Sequence, residues 1–161
     1  MTTPLTTFAL RFSPTARGAR LARRLASHRM DAWGWTYGSD AHDSVELIVA
    51  ELAANAVTHG LVPGRDAELA LVPVPDLGLV RIEVSDARGE CLPRSTSGDT
   101  GEDSGRGLLL VAALADSWGV TARVGGPGKT VWATSSPGPA PCRRPTAAHR
   151  PLHRPRRDIC C

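Results

Sequence analysis

Two polar side chains interrupt an apolar run. In SVELIVAELAANAVTH the stretch Leu47 to Val57 has only Glu51 and Asn55 as polar residues. Spaced four apart on a helix they project from one side, and Thr58 and His59 extend that stripe. A carboxylate so placed can take a proton from an attacking hydroxyl. An amide oxygen beside it suits magnesium, which prefers oxygen ligands and keeps several waters. A structural reading stands beside this one, because any acid and amide in an apolar helix need a polar counterpart, whether protein or ligand.

Two further features offer counterparts. In LVRIEVSD, Val80, Ile82 and Val84 form the apolar face, and period two puts Asp86 on that face at the strand's end. There it either caps the following loop or accepts a hydrogen bond from an exocyclic amine, which adenine has and guanine lacks at that position. In SGRGLLLVAALAD two glycines, Gly105 and Gly107, open a helix. A helix mouth with exposed amides and no side chains in the way is a natural phosphate site. Arg106, between the glycines, either touches a terminal phosphate or a partner, or faces solvent.

The elements that must position these residues are legible from patterning. Leu5 to Phe12 predicts a strand, and Thr15 to about Trp33 a helix with Leu21, Leu25 and Met30 as its apolar side. Arg17, Arg20, Arg23 and Arg24 lie mostly elsewhere on that helix, as a solvated face or a basic patch. The central helix is expected from about Ser44 to His59, with Asp40 as its cap and Gly60 as its stop. Asp66 to Val74 and Leu79 to Asp86 predict a hairpin turning at Pro75, Asp76, Leu77 and Gly78. Ala87 to Asp103, rich in Gly, Ser, Thr, Asp and Pro, has the length of a lid loop. The glycine-opened helix should end near Ala115, and Trp118 to Val124 and Thr130 to Ser135 predict a closing hairpin.

Composition limits the alternatives. A chain of 161 residues holds one domain with a real core. Its formal net charge of +3 is set by the tail, where six arginines face one acid from Ser135 onward, leaving a mildly acidic body. Pro137 to Cys161 is proline- and arginine-rich with little to bury, so a disordered tail, 136–161, is expected after a body of 5–135. No signal peptide or membrane-length apolar run is present, and a cytoplasmic location with no membrane partner is expected. Cys142, His149, His153, Cys160 and Cys161 have the types of a zinc site but none of its usual spacings. GGPGKT is no phosphate-binding P-loop, because Arg123 stands where the first glycine belongs and a strand follows. The tail arginines would bind nucleic acid only weakly and without specificity.

Taken together, the residues resemble the ATP-binding fold shared by gyrase, heat-shock chaperones, histidine kinases and mismatch-repair ATPases. The nearest likeness is to small actinobacterial anti-sigma-factor serine/threonine kinases and related regulatory ATP-binding proteins. ELAANAVTHG resembles the family's N-box, which implies Glu51 as general base, Asn55 as magnesium ligand and His59 as the histidine at the helix end. By the same resemblance Asp86 reads adenine, SGRGLLLV with Gly105 and Gly107 is the second glycine box, and Gly128 and Thr130 belong to the adenine side of the last strand. The first glycine box departs: D-x-G-x-G is DARGE here, with Arg88 and Glu90 in place of glycines.

The expected fold is an α/β (α+β) two-layer sandwich: a mixed, mostly antiparallel sheet with about three helices on one face and a flexible ATP lid. The expected function is ATP- and Mg2+-dependent phosphorylation of an anti-sigma-factor antagonist. The alternative is a sigma-factor regulator that binds its protein partner in a nucleotide-dependent way without turnover. The resemblance also implies a homodimer.

Overall fold

The computed structural model describes residues 5–89, 104–136 and 138. The expected lid beyond Gly89 and the expected tail beyond Gly138 lie outside the described residues, as do all four cysteines. The elements run β1 (Phe8–Phe12), α1 (Ala16–Trp33), α2 (Asp40–His59), β2 (Ala67–Val74), β3 (Leu79–Asp86), α3 (Ser104–Leu114), β4 (Ser117–Ala122) and β5 (Lys129–Ser135). The strands form one sheet in the order β1-β2-β3-β5-β4, antiparallel at every pairing. One sheet face is covered by the helices, as the sequence predicts.

Alternation fixes which face is covered. Leu69, Leu71, Val80, Ile82, Val84, Val131 and Ala133 point inward and are buried, as period two requires. Against them pack Val45, Ile48, Val49, Leu52, Ala53 and Ala56 of α2, with Leu108 and Val111 of α3. The outer face carries Arg81 stacked on the Trp132 ring, 4.3 Å from its centroid, and hydrogen-bonded to Glu83 at 2.6 Å. None of the helices among the described residues is long and apolar enough to cross a membrane.

Two local expectations are corrected, and a third, Gly60 as the end of α2, holds for a different reason. The buried side of α1 is Ala22, Ala26, Met30 and Trp33, while Leu21 and Leu25 are 52% and 37% exposed. Steps of four, four and three make a continuous stripe, and the leucines sit one residue, about 100°, off it. α2 begins a turn earlier than expected, at Asp40, because Ser39 Oγ accepts the His42 N–H at 3.2 Å and is the cap. Gly60 ends α2 with φ −102°, outside the left-handed region, so its lack of a side chain serves something other than a helix stop.

α1 and α2 are joined by a polar clamp. Ser27 Oγ donates to Glu46 Oε2 at 2.9 Å, and Arg23 Nε donates to Glu46 Oε1 at 2.8 Å. The buried His42 ring reaches the Ser27 carbonyl at 3.1 Å through Nε2 and Asp43 Oδ1 at 3.3 Å through Nδ1. Burial pushes the Glu46 carboxyl up, but the hydrogen bonds from Arg23 and Ser27, with the charges of Arg23 and His42, outweigh it and hold its pKa below the usual value.

Candidate functional site

Four element ends meet at one end of the sheet: the C-termini of α2 and β3 and the N-termini of α3 and β5. The antiparallel register between β3 and β5 sets Asp86 directly opposite Lys129. α2 lies across the inner face and brings Glu51 and Asn55 to the opening turn of α3.

Gly107 shows how closely these residues meet. A Cβ there would fall 2.5 Å from Glu51 Oε2 and 3.8 Å from Asn55 Oδ1. The acid and amide therefore face the first turn of α3, whose N–H groups have no partner within the helix. A carboxylate at a helix N-terminus is favoured by the helix dipole. Adding phosphates to the same mouth brings like charge against Glu51, a situation that a cation between them relieves.

Asn55 supplies an independent sign of a ligand. Its Nδ2 atom is buried and has no hydrogen-bond partner among the described residues. Such an atom costs about 1–3 kcal/mol, so it marks a place where something else is expected to bind. Asn55 Oδ1 lies 3.8 Å from the position a Gly107 Cβ would take, so the amide offers its oxygen to the α3 mouth. The residues present thus fit a magnesium ion with phosphates: Asn55 to hold the ion, and the glycine-opened amides of α3 to receive phosphate oxygens.

Asp86 is in a different situation. It is 3% exposed, and Lys129, at 4%, places Nζ 2.9 Å from Asp86 Oδ2 and 3.2 Å from Oδ1. Lys129 also donates to the Arg88 carbonyl at 2.9 Å, and the Arg88 N–H donates to Asp86 Oδ1 at 2.9 Å. The carboxylate therefore both caps the loop after β3 and carries a buried counter-ion. Gly60 closes its other side: a Cβ there would lie 2.5 Å from Asp86 Cγ and 2.6 Å from Oδ2. That close approach is why α2 ends in glycine.

Beside this pair lies a pocket of about 430 Å³, lined by Leu61, Val62, Pro63, Arg88, Gly89 and Gly128 among others. Apolar side chains and bare glycine backbone suit the faces of a planar ring. Gly128, at φ 125°, backs onto the Asp86 carbonyl, so a side chain there would be strained and obstructed.

The expected site residues divide accordingly. Glu51, Asn55 and Gly107 come together, with Gly105 and Arg106 in the same turn of α3. Asp86 is enclosed by Gly60 and by Lys129 of β5, and its chain neighbours Ala87 and Arg88 line the pocket. His59 is half-buried in the last turn of α2 and makes no hydrogen bond with a described residue. Thr130 is not brought to Asp86: it projects from the opposite sheet face, where its hydroxyl lies 2.7 Å from that of Ser85. Lys129 occupies the position facing Asp86 and was missed from sequence. The alternation of Val131, Ala133 and Ser135, read one step back, would have placed it there.

Comparison with known proteins agrees with this fold. A family model described as a histidine kinase-like ATPase domain matches residues 12–135, from the last residue of β1 to the last of β5. The search of curated proteins returned no match. With that match running from the end of β1 through β5 and covering every candidate site residue, the chain belongs to the histidine kinase-like ATPase domain family, whose fold binds ATP.

Proposed function

We propose that this ATP-binding regulatory protein is a serine/threonine kinase of the anti-sigma-factor type, acting on an anti-sigma-factor antagonist. The observation that supports it most is the convergence of Glu51 Oε2 and Asn55 on Gly107 at the mouth of α3. Glu51 orients the attacking hydroxyl and takes its proton as the new O–P bond forms and the bond to the departing diphosphate breaks. Asn55 would hold a magnesium ion, which when bound would neutralise charge on the phosphates. The α3 amides fix the phosphate oxygens, and positioning by these groups supplies most of the rate.

The test is transfer of phosphate to a candidate antagonist, followed by mass spectrometry. Glu51→Gln is expected to slow transfer by about 10²–10⁴ while ATP binding persists. Transfer at a rate comparable to the parent would remove Glu51 from the role of base.

A second reading is a nucleotide-dependent binding module for a sigma factor or its regulator, without turnover. The Lys129–Asp86 pair and DARGE in place of D-x-G-x-G favour it. In that case Asn55→Ala or omission of magnesium changes partner affinity, and no phosphoprotein forms. A homodimer belongs to both readings and is checked by sedimentation.

A further inference from the structure

We propose that Lys129 is a base-specificity residue: its ammonium, held on Asp86 and on the carbonyl of Arg88 in the pocket wall, extends recognition from adenine nucleotides to purine nucleotides bearing a carbonyl in place of the amine. The inference rests on the reading of this end of the sheet as the nucleotide site. It concerns a residue for which that reading alone provides no role.

A lone carboxylate at the base edge is acceptor-only. It receives the adenine amine and repels the guanine carbonyl, so it selects strongly. The carboxylate here is not alone. Oδ1 already accepts from the Arg88 N–H and Lys129, and Oδ2 accepts from Lys129, with Gly60 against it. Its capacity for an incoming amine is reduced and its charge is balanced. The ammonium brings three donors, taken by the two Asp86 oxygens and the Arg88 carbonyl, and a base carbonyl that replaced the Arg88 carbonyl would receive the same donor.

Position makes this a property of the fold. Lys129 faces Asp86 by strand register, and both side chains are almost fully buried. Lys129 also ties Asp86 to Arg88, a residue of the pocket wall, and its neighbour Gly128 lines the same pocket. Stability is a poor reason for such a pair, since apolar residues of similar volume often stabilise as well or better. Loss of one partner, by contrast, leaves a buried charge uncompensated.

The experiment is competition of ATP and GTP against a fluorescent ATP analogue on the full chain, with magnesium. The parent is expected to bind the two within about tenfold of each other, because a charge-assisted donor to the carbonyl offsets the lost amine contact. Lys129→Met should shift the ratio about tenfold or more toward ATP. Lys129→Thr, which keeps a small donor to Asp86, serves if the methionine variant does not fold. A parent preference for ATP beyond about a hundredfold overturns the inference while leaving ATP binding intact. So does a folded variant whose ATP-to-GTP ratio is unchanged. Failure of the parent to bind any nucleotide at millimolar concentration removes the nucleotide reading itself, and this inference with it.

Discussion

Asn55 separates function from stability more sharply than any other residue of the site. Its buried Nδ2 has no partner among the described residues, so Asn55→Ala removes an unsatisfied group and should change unfolding free energy by no more than about 1 kcal/mol. The same change should abolish the effect of magnesium on ATP binding, as read by calorimetry with and without the ion. A large stability loss with intact magnesium dependence would make Asn55 structural. Two glycines give a matching contrast. At Gly107 a methyl meets the tip of Glu51, which can swing aside, so Gly107→Ala should fold normally and lose phosphoryl transfer. At Gly60 a methyl meets Asp86 Cβ and Cγ, which Lys129 and the Arg88 N–H hold in place. Gly60→Ala should therefore cost about 1–3 kcal/mol in chemical denaturation. Glu51, Asn55 and Asp86 were legible in sequence because their types contradict their apolar surroundings. Lys129 and Gly60 were not, since a lysine beginning a strand and a glycine ending a helix are ordinary. Only the pairing of β3 with β5, and of α2 with β3, gives them a role.

At the scale of elements, the α1–α2 clamp carries a pH signature. Glu46 has a lowered pKa in the folded chain, so its contribution is present above the ordinary glutamate value of about 4.3 and is lost as pH falls through the folded value. Melting between pH 6 and pH 3 should show a steeper acid loss in the parent than in Glu46→Gln. The variant should be less stable near neutrality by roughly 0.5–1 kcal/mol, the scale of a partly exposed ion pair. Parallel acid limbs for the two would mean that Arg23 and Ser27 do not hold Glu46 in solution. The same clamp bears on α1, where Met30 is on the buried side as expected and Leu21 and Leu25 are not. Hydrophobicity alone favours Leu21 and Leu25, yet a helix is oriented by a whole stripe. Ala22, Ala26, Met30 and Trp33 continue through it, with Ser27 beside them reaching His42 and Glu46 on α2. Strand faces were easier to read, because alternation leaves only two choices and inward aliphatics settle them.

For the whole molecule, the decisive point is that all four site-bearing ends belong to the body. α2 delivers Glu51 and Asn55, α3 its glycine mouth, β3 Asp86 and β5 Lys129, and the family match closes at residue 135 with the end of β5. The basic charge of the chain has a different address: from Ser135 onward six arginines face one acid, and the remainder is net acidic. The candidate nucleotide site and the basic charge therefore reside in separate parts of the sequence. Removing residues 137–161 should leave ATP affinity and melting temperature unchanged within error. The same removal should abolish any salt-sensitive retention on DNA or RNA, because that retention depends on the number of phosphates neutralised. A truncated chain that no longer bound ATP would assign the tail a part in the site. One that still bound nucleic acid would move the basic surface to the α1 arginines, Arg17, Arg20, Arg23 and Arg24.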